Sequence, residues 1–315
     1  MWIEPRQDAG KADLVRVTGY RCQRTLAASV TIEGVGFVTG ARVRVRLMPA
    51  PADTGTVFRR TDLASAPLIP ALTAFVSDTR RRTTLGTASQ GVTLVEHLLA
   101  ALSGLRIDNC EIEIDGPEPP GLDGSAAGYV AAIAECGIIE QAARRDIWSV
   151  TSPVVISVGG ATIGLHPSDE PGLRASYLLD YGVFGPIHRQ AFTLDVRPDE
   201  FVREVAMCRT FVTEAEVQGL QAQGIGRHLT TSDLLVFSAR GPIDNRLRFA
   251  DEPARHKVLD LIGDLALCGF DLAGHVVAYR SGHALNVQLA TRLALSVEGQ
   301  KSSGRKVLKA TTQAA

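Results

Sequence analysis

The sequence predicts an α+β protein made of two related halves. Each half of the 315-residue chain begins with strand-like runs, continues into a helix and closes with a late strand and another helix. A chain of this length accommodates two domains of about 150 residues, and its 45% of hydrophobic residues suffices for a sizeable core. A break in composition at residues 140–146 predicts the linker between the halves.

The first half shows its elements through glycine and leucine spacing. Residues 28–32 and 43–47 favour strands on either side of segment 34–40, whose three glycines indicate tight turns or close approach to a ligand. Leucines at helical spacing over 92–105, with Thr93 near the start and Gly104 at the end, predict an amphipathic helix. The elements that follow are a strand over 107–115, a loop over 116–125 and a helix over 126–136.

The second half restarts with strands and ends with two helices. Its predicted strands cover 154–158, 161–165, 175–180, 190–195 and 275–279, and its predicted helices cover 198–205, 214–221, a central helix after Pro253, and 284 to about 297. The resulting organisation is a flexible N-terminal extension (1–22), domain I (23–143), domain II (144–298) and a polar, disordered tail (299–315).

Composition excludes several functional classes. A formal net charge of -1 without basic runs argues against nucleic acid as the main partner. No apolar run approaches the roughly 20 residues of a membrane span, and the N-terminus lacks the features of a signal peptide. Five cysteines without CxxC spacing fit neither a disulfide framework nor a cysteine zinc site. These features predict a cytoplasmic location and no transmembrane segment. We also expect a monomer.

The central helix carries the first candidate metal ligands. Pro253 suits a first helical turn, and His256 and Asp260 are four residues apart, so their side chains share one face. Asp264 lies one turn further along. An imidazole and a carboxylate at this spacing can hold two corners of a zinc tetrahedron, whereas catalytic zinc usually takes three protein ligands. The alternative is a solvated polar face over an apolar stripe.

Two further signals single out charged residues near these ligands. Lys257 is the only lysine between Lys11 and Lys301, which indicates that a compact point charge is wanted beside His256. In the first half, Glu96 and His97 interrupt a leucine-rich helix, and burying either without a partner costs several kcal/mol. Here the alternative is an exposed face of the same helix.

If the two halves come together, we expect these residues to form a hydrolytic site. His97, His256 and Asp260 would complete a zinc set with one open position. Glu96 points about 100° around the helix from His97, so it could instead accept a proton from the attacking water.

A second pair would supply the acid. His283 beside Asp264 would be an imidazolium whose pKa is held up by a carboxylate. A metal, a base and an acid around one carbonyl are what amide hydrolysis requires.

Several short stretches resemble one family, in that family's order, over residues 23–290. The chain is similar to the UDP-3-O-acyl-N-acetylglucosamine deacetylases, zinc amidases that commit bacteria to lipid A synthesis. The matching stretches are Gln23-Arg-Thr-Leu, Gly34-Val-Gly, residues 49–63, Thr93-Leu-Val-Glu-His-Leu, Ile107-Asp-Asn, Leu122-Asp-Gly-Ser-Ala, Arg209-Thr-Phe, residues 255–264 and Ser281-Gly-His-Ala-Leu-Asn.

The resemblance implies a fold and a reaction. The fold is two similar two-layer sandwich domains of the ribosomal S5 domain 2-like type, each with a small insert, and the active site lies between them. The reaction removes acetate from the glucosamine nitrogen of a UDP-linked, 3-O-acylated sugar.

The resemblance also assigns roles at matching positions. It implies Zn²⁺ ligands at His97, His256 and Asp260, a general base at Glu96, a general acid at His283 paired with Asp264, an oxyanion contact at Thr210, and substrate contacts at Lys257 and Phe211.

Three departures from the family pattern concern the substrate. The turn after Gly36 reads Phe37-Val-Thr instead of containing a histidine. Arg80–Arg82 stand where apolar residues are common near the acyl chain, and 224–233 lacks the usual Gly-Gly-Ser turn. They leave as an alternative a diverged amidase that acts on another N-acylated amino sugar.

A non-catalytic scaffold is a further alternative, and it predicts loss of Glu96 or His283, which are both present. The remaining histidines, among them His228, are interpreted as ordinary surface or loop residues.

Overall fold

The computed structural model describes residues 14–65 and 67–313, and the chain is α+β throughout that part. The strands are β1 (Val15–Leu26), β2 (Val30–Val35), β3 (Arg42–Pro49), β4 (Thr56–Arg60), β5 (Ile69–Pro70), β6 (Val76–Asp78), β7 (Thr84–Leu85), β8 (Val92–Thr93), β9 (Cys110–Ile114), β10 (Ile138–Val150), β11 (Val154–Val158), β12 (Ala161–His166), β13 (Leu173–Leu179), β14 (Gln190–Asp195), β15 (Phe211–Thr213), β16 (Leu235–Ser238), β17 (Gly241–Pro242), β18 (Asp271–Leu272) and β19 (Gly274–Tyr279). The helices are α1 (Glu96–Gly104), α2 (Ala127–Cys136), α3 (Pro198–Glu204), α4 (Glu214–Ala222), α5 (Glu252–Ala266) and α6 (His283–Gln313).

Two sheets with the same topology form the frame. One has the strand order β2-β3-β9-β4-β5 and the other β11-β12-β19-β13-β14. In each, the first two strands form a hairpin, and the late strand (β9 or β19) pairs antiparallel to the second strand and parallel to the third. Strict alternation produces these half-buried strands, since Val43, Val45 and Leu47 of β3 face the core between exposed arginines.

Each half of the chain also contains a small three-stranded sheet whose strands precede a helix in the sequence. The strands β6, β7 and β8 precede α1, and β15, β16 and β17 precede α5. The backbone N–H of Thr83, just before β7, donates to Glu96 at the start of α1, and that of Arg209, just before β15, donates to Glu252 at the start of α5.

A long antiparallel ribbon of β1 and β10 corrects two boundaries of the sequence analysis. Residues 140–146, interpreted as a linker, lie inside β10, and residues 15–22 of the expected flexible extension form part of β1. The charged composition of 140–146 suits an exposed ribbon, and its strand partner lies more than a hundred residues away, beyond the reach of local patterns. The division into two domains remains a prediction.

Helices α1 and α5 pack against each other at the centre of the molecule. Gly263 permits this contact, because a Cβ there would overlap the carbonyl oxygen of Glu96. Val258, Leu259 and Leu261 of α5 are fully buried, as the predicted apolar stripe requires.

Two helix ends differ from the predicted ones. The helix predicted from residue 92 begins at Glu96, because Leu94 adopts a left-handed conformation with φ of 58° and Val92–Thr93 pair in a strand. The last helix continues past residue 297 to Gln313, into the expected disordered tail. Among the described residues, none of the helices combines the length and apolarity of a membrane span.

Candidate active site

Three buried side chains from the packed helices form a metal-ligand set. His97 lies in the first turn of α1, and His256 and Asp260 lie on α5. One ligand atom from each lies within 4.8 Å of the other two. The Asp260 Oδ1 atom is 3.2 Å from His256 Nε2 and 3.6 Å from His97 Nε2. The face of α5 that could have been a solvated polar stripe is therefore interior.

The donor atoms of this set fit a divalent metal. His256 Nε2 and Asp260 Oδ1 are buried and have no hydrogen-bond partner within the described part of the chain. An orphaned buried polar atom costs about 1–3 kcal/mol, and a metal ion held by two imidazoles and a carboxylate would remove that cost. The edge-on contact of the His97 and His256 rings, with centroids 5.0 Å apart, leaves both Nε2 atoms facing the same space.

Backbone and charge prepare the ligands. The backbone carbonyl of Cys208 lies 3.0 Å from His256 Nδ1, so this nitrogen carries the proton and Nε2 keeps its lone pair. Burial alone raises the pKa of Asp260, but His256 and the Lys257 ammonium outweigh it and hold the pKa well below its usual value. The carboxylate is therefore ionised, as a metal ligand must be.

Glu96 lies beside the set with its carboxylate buried. Its side chain is only 3% exposed, which excludes the exposed-face alternative. Burial, opposed by His283 and reinforced by Asp264 and Asp260, raises the pKa of Glu96 to about 7. The Thr83 backbone N–H donates to Glu96 Oε2 at 3.0 Å, so the carboxylate has a fixed orientation. These are the properties of a general base that works near neutral pH.

Across from Glu96, His283 is held by Asp264. His283 Nδ1 donates to Asp264 Oδ2 at 2.9 Å, and His283 Nε2 lies 3.7 Å from Glu96 Oε1. Burial lowers the pKa of His283, yet the carboxylates of Asp264 and Glu96 outweigh it and raise the pKa to about 9. At neutral pH the ring is an imidazolium able to donate from Nε2.

Two residues that the sequence analysis did not assign complete this network. Thr83 Oγ1 donates to Asp264 Oδ1 at 2.6 Å and Asn286 Nδ2 donates to Asp264 Oδ2 at 2.9 Å. Asn286 lies three residues after His283, a spacing that places both on one helical face and could have identified it. Thr83 had no sequence signal, because it reaches the site only through the small sheet before α1.

A charged and aromatic wall adjoins the ligands. Lys257 Nζ lies 2.8 Å from Asp260 Oδ2 and 5.4 Å from the centroid of the Phe211 ring. The Phe211 ring contacts the rings of His256 and Tyr181 edge-on. The wall therefore offers a positive charge and a flat apolar surface next to the candidate metal position.

Thr210 lies between two residues that both touch His256. Cys208 contacts that ring through its carbonyl and Phe211 through its side chain. The backbone N–H of Thr210 donates to Gly124 O at 2.7 Å, which fixes the segment. These backbone contacts do not define a role for Thr210, which stays a prediction.

Two of the three departures from the family pattern contact each other, and the third contacts α4. His228, from the 224–233 segment, lies 2.9 Å from the carbonyl oxygen of Gly36, so it links that segment to the first departing turn. Arg81 pairs with Glu216 of α4 at 3.1 Å. The interpretation of His228 as an ordinary loop residue is therefore incomplete, because it bridges the two halves of the chain.

Comparisons with known proteins find one family over most of the chain. The family model described as UDP-3-O-acyl N-acetylglycosamine deacetylase matches residues 23–295. A UDP-3-O-acyl-N-acetylglucosamine deacetylase of Nostoc sp. is 42% identical over 280 residues, 87% of this chain and 99% of its own length. One of Myxococcus xanthus is 41% identical over 86% of each chain. The bifunctional enzyme LpxC/FabZ of Chlorobaculum tepidum is 37% identical over 86% of this chain and 64% of its own length.

Proposed function

The chain belongs to the UDP-3-O-acyl N-acetylglycosamine deacetylase family, and we propose that it hydrolyses the N-acetyl amide of a UDP-3-O-acyl-N-acetylglucosamine. Acetate is released, and the reaction is the committed step of lipid A biosynthesis. The observation that carries the proposal is the buried ligand set flanked by Glu96 and His283. The non-catalytic alternative lacks support, because every group that amide hydrolysis needs is present within one site.

We propose Zn²⁺ as the ion that His97, His256 and Asp260 hold. Two neutral imidazoles and one carboxylate are a donor set of catalytic zinc sites, which keep one position open. When bound, the ion supplies Lewis-acid polarisation of the amide carbonyl and of the attacking water.

Glu96 and His283 carry the protons. The Glu96 carboxylate takes a proton from the water while the water oxygen attacks the amide carbon. The carbon–nitrogen bond then breaks, and His283 Nε2 gives its proton to the leaving amine. Asp264, which accepts from His283 Nδ1 at 2.9 Å, holds the ring so that Nε2 faces the reacting bond.

Three further residues are proposed to position the substrate. Thr210 assists the developing oxyanion, because it lies between Cys208 and Phe211, which both touch His256. Lys257 offers a positive charge to a substrate anion, and Phe211 lines the pocket beside it.

We also propose that the two halves are similar sandwich domains of the ribosomal S5 domain 2-like type with small inserts. The matching order of the two frame sheets and the small sheet before each of α1 and α5 support this. The unpaired state of the five cysteines fits the predicted cytoplasmic location. One chain supplies every proposed group, which supports action as a monomer.

The test is acetate release from a UDP-3-O-acyl-N-acetylglucosamine by the purified protein. Chelation should abolish the activity, and Zn²⁺ should restore it. The matched control is Glu96→Gln, which leaves the ligands in place and removes the base. A protein that is inactive when loaded with zinc, or equally active as Glu96→Gln, would contradict the proposal.

A further inference from the structure

A cavity lies at the ends of α1 and α5 that are farther from the metal-ligand set. It has a volume of about 410 Å³, and its walls include Leu102 of α1 and Leu265 of α5. Leu265 lies nine residues beyond His256, which corresponds to about 13 Å along α5 at about 1.5 Å per residue. The cavity is therefore separate from the metal-ligand set, and its size is typical of small-molecule sites.

The wall of the cavity includes Arg106, whose backbone adopts a left-handed conformation that side-chain-bearing residues rarely adopt. Arg106 follows the end of α1 with φ of 58°, and its N–H donates to Ser103 O while the N–H of Ile107 donates to Leu102 O. These two bonds define a Schellman motif, in which the left-handed position is usually glycine. A side chain there costs roughly 1–2 kcal/mol.

Arg106 forms no side-chain hydrogen bond or ion pair in the described part of the chain. The carboxylates near its half-buried guanidinium, Asp108 and Asp271, are already paired with Arg21 and Arg145 on the same wall. Burial and the nearby Arg21, only partly opposed by Asp271 and Asp108, lower the pKa of Arg106 from its usual value. The Arg106 backbone is therefore strained, and its side chain lines a cavity without a hydrogen-bond or ion-pair partner.

Other unpaired donors share this cavity. Trp148 lines it and is 4% exposed, and its indole Nε1 has no hydrogen-bond partner among the described residues. Lys301 Nζ lies 5.5 Å from the centroid of the Trp148 ring. Of the remaining lining carboxylates, Asp53 accepts from Gln23, and Asp146 is exposed. Unsatisfied donors outnumber free acceptors, so the complementary ligand brings acceptor atoms and negative charge.

We infer that this cavity is a binding site for a small anion with a carboxylate or phosphate head, held by Arg106, Lys301 and the indole N–H of Trp148. Its apolar walls, among them Leu99 and Ile262, accommodate a compact apolar body attached to that head. The site is independent of the hydrolytic reaction.

Fluorescence of Trp148 tests this directly. The protein has two tryptophans, so a Trp2→Phe background leaves Trp148 as the only reporter. Inorganic phosphate and butyrate are titrated into the zinc-loaded protein, with butanol as the uncharged counterpart of butyrate. A saturable change with at least one anion and none with butanol is expected, and the tighter anion identifies the head group.

The deciding variant is Arg106→Gly. It relieves the left-handed strain, so the melting temperature should stay equal or rise while anion affinity falls about tenfold or more, the value of a hydrogen bond to a charged group. Arg16→Ala, which removes an exposed arginine elsewhere, should leave affinity unchanged. A lower melting temperature with unchanged affinity would give Arg106 a purely structural role at the helix end and overturn the inference. Absence of saturable binding by both anions would overturn it too.

Discussion

Single buried atoms determine the chemistry of the site. The Nε2 atom of His256 and the Oδ1 atom of Asp260 have no hydrogen-bond partner in the described part of the chain. Burying them in this state destabilises the fold unless a cation binds to both atoms. The adjacent Lys257 keeps Asp260 ionised, so the set carries one negative charge, suited to a divalent ion.

Removing a ligand should therefore remove the metal. We expect His97→Ala and Asp260→Ala to lose bound zinc and all measurable activity, because two remaining ligands do not hold a catalytic ion. Metal analysis of the purified variants, together with acetate release, measures this. His188→Ala, an exposed histidine, is the control. Full metal content in His97→Ala would refute the assignment.

The proton-transfer pair should set the pH profile. Glu96 must be ionised, so activity falls as pH drops below its pKa of about 7, and a bound cation moves this limb to lower pH. His283 must be protonated, so activity falls as pH rises through about 9. Glu96→Gln and His283→Ala should retain the metal and lower kcat by roughly 10²–10⁴-fold. An unchanged basic limb in His283→Ala would rule that residue out as the acid.

Thr83 should matter through its hydroxyl. Thr83→Val retains the backbone donor to Glu96 but removes the 2.6 Å bond to Asp264, so kcat should fall about tenfold with metal content unchanged. Thr83→Ser keeps the hydroxyl and should behave as wild type. If the valine and serine variants have equal kcat, the hydroxyl has no role.

At the scale of elements, the close packing of α1 on α5 brings the ligands together. His97 is on one helix and His256 and Asp260 on the other, so the geometry of the set depends on the distance between two helix backbones. Gly263 sets that distance, because no side-chain atom separates it from the Glu96 carbonyl.

Gly263→Ala tests this dependence. Its methyl group would overlap a backbone atom, and such overpacking costs about 1–3 kcal/mol, so both the unfolding free energy and metal affinity should fall. Chemical denaturation and zinc titration measure the two effects. Gly219→Ala on α4, where a Cβ meets open space, should instead be neutral or stabilise by about 0.5–1 kcal/mol. If the two variants had equal unfolding free energies and metal affinities, the contact between α1 and α5 would accommodate the extra methyl group.

At the scale of the whole molecule, the three departures from the family pattern are linked through α4 and the segment 224–233 that follows it in the chain. Arg81 reaches Glu216 of that helix, and His228 reaches the turn at Gly36. Segments separated by up to 192 positions thus form one surface, which we expect to border the passage for the acyl chain.

This surface should limit the acyl length that the enzyme uses. Buried methylene groups contribute about 0.8 kcal/mol each, so kcat/KM should rise with chain length only up to a short chain and then flatten. Arg81→Leu should extend the rise to longer chains. The measurement is kcat/KM for a series of acylated substrates. A steady rise in the wild type would mean that the arginine stems line an ordinary passage.

Local patterns in the sequence determined the element types and the chemical inventory. The strands of the second half, the apolar stripe of α5 and the i, i+4 pair His256 and Asp260 follow from short-range periodicity, which backbone geometry imposes on any chain. The resemblance to a family assigned roles to residues from both halves. These inferences required no knowledge of the tertiary contacts between segments.

Only the tertiary structure decided what depends on long-range contact. It placed Thr83 against Glu96 and Asp264, turned residues 140–146 into a strand of the β1–β10 ribbon, and left Arg106 facing a cavity. Each of these depends on how separate segments pack together in the folded chain, and the local sequence carries no signal of that packing. The buried and charged state of the site follows from the same packing, because burial and neighbouring charge are properties of the folded chain alone.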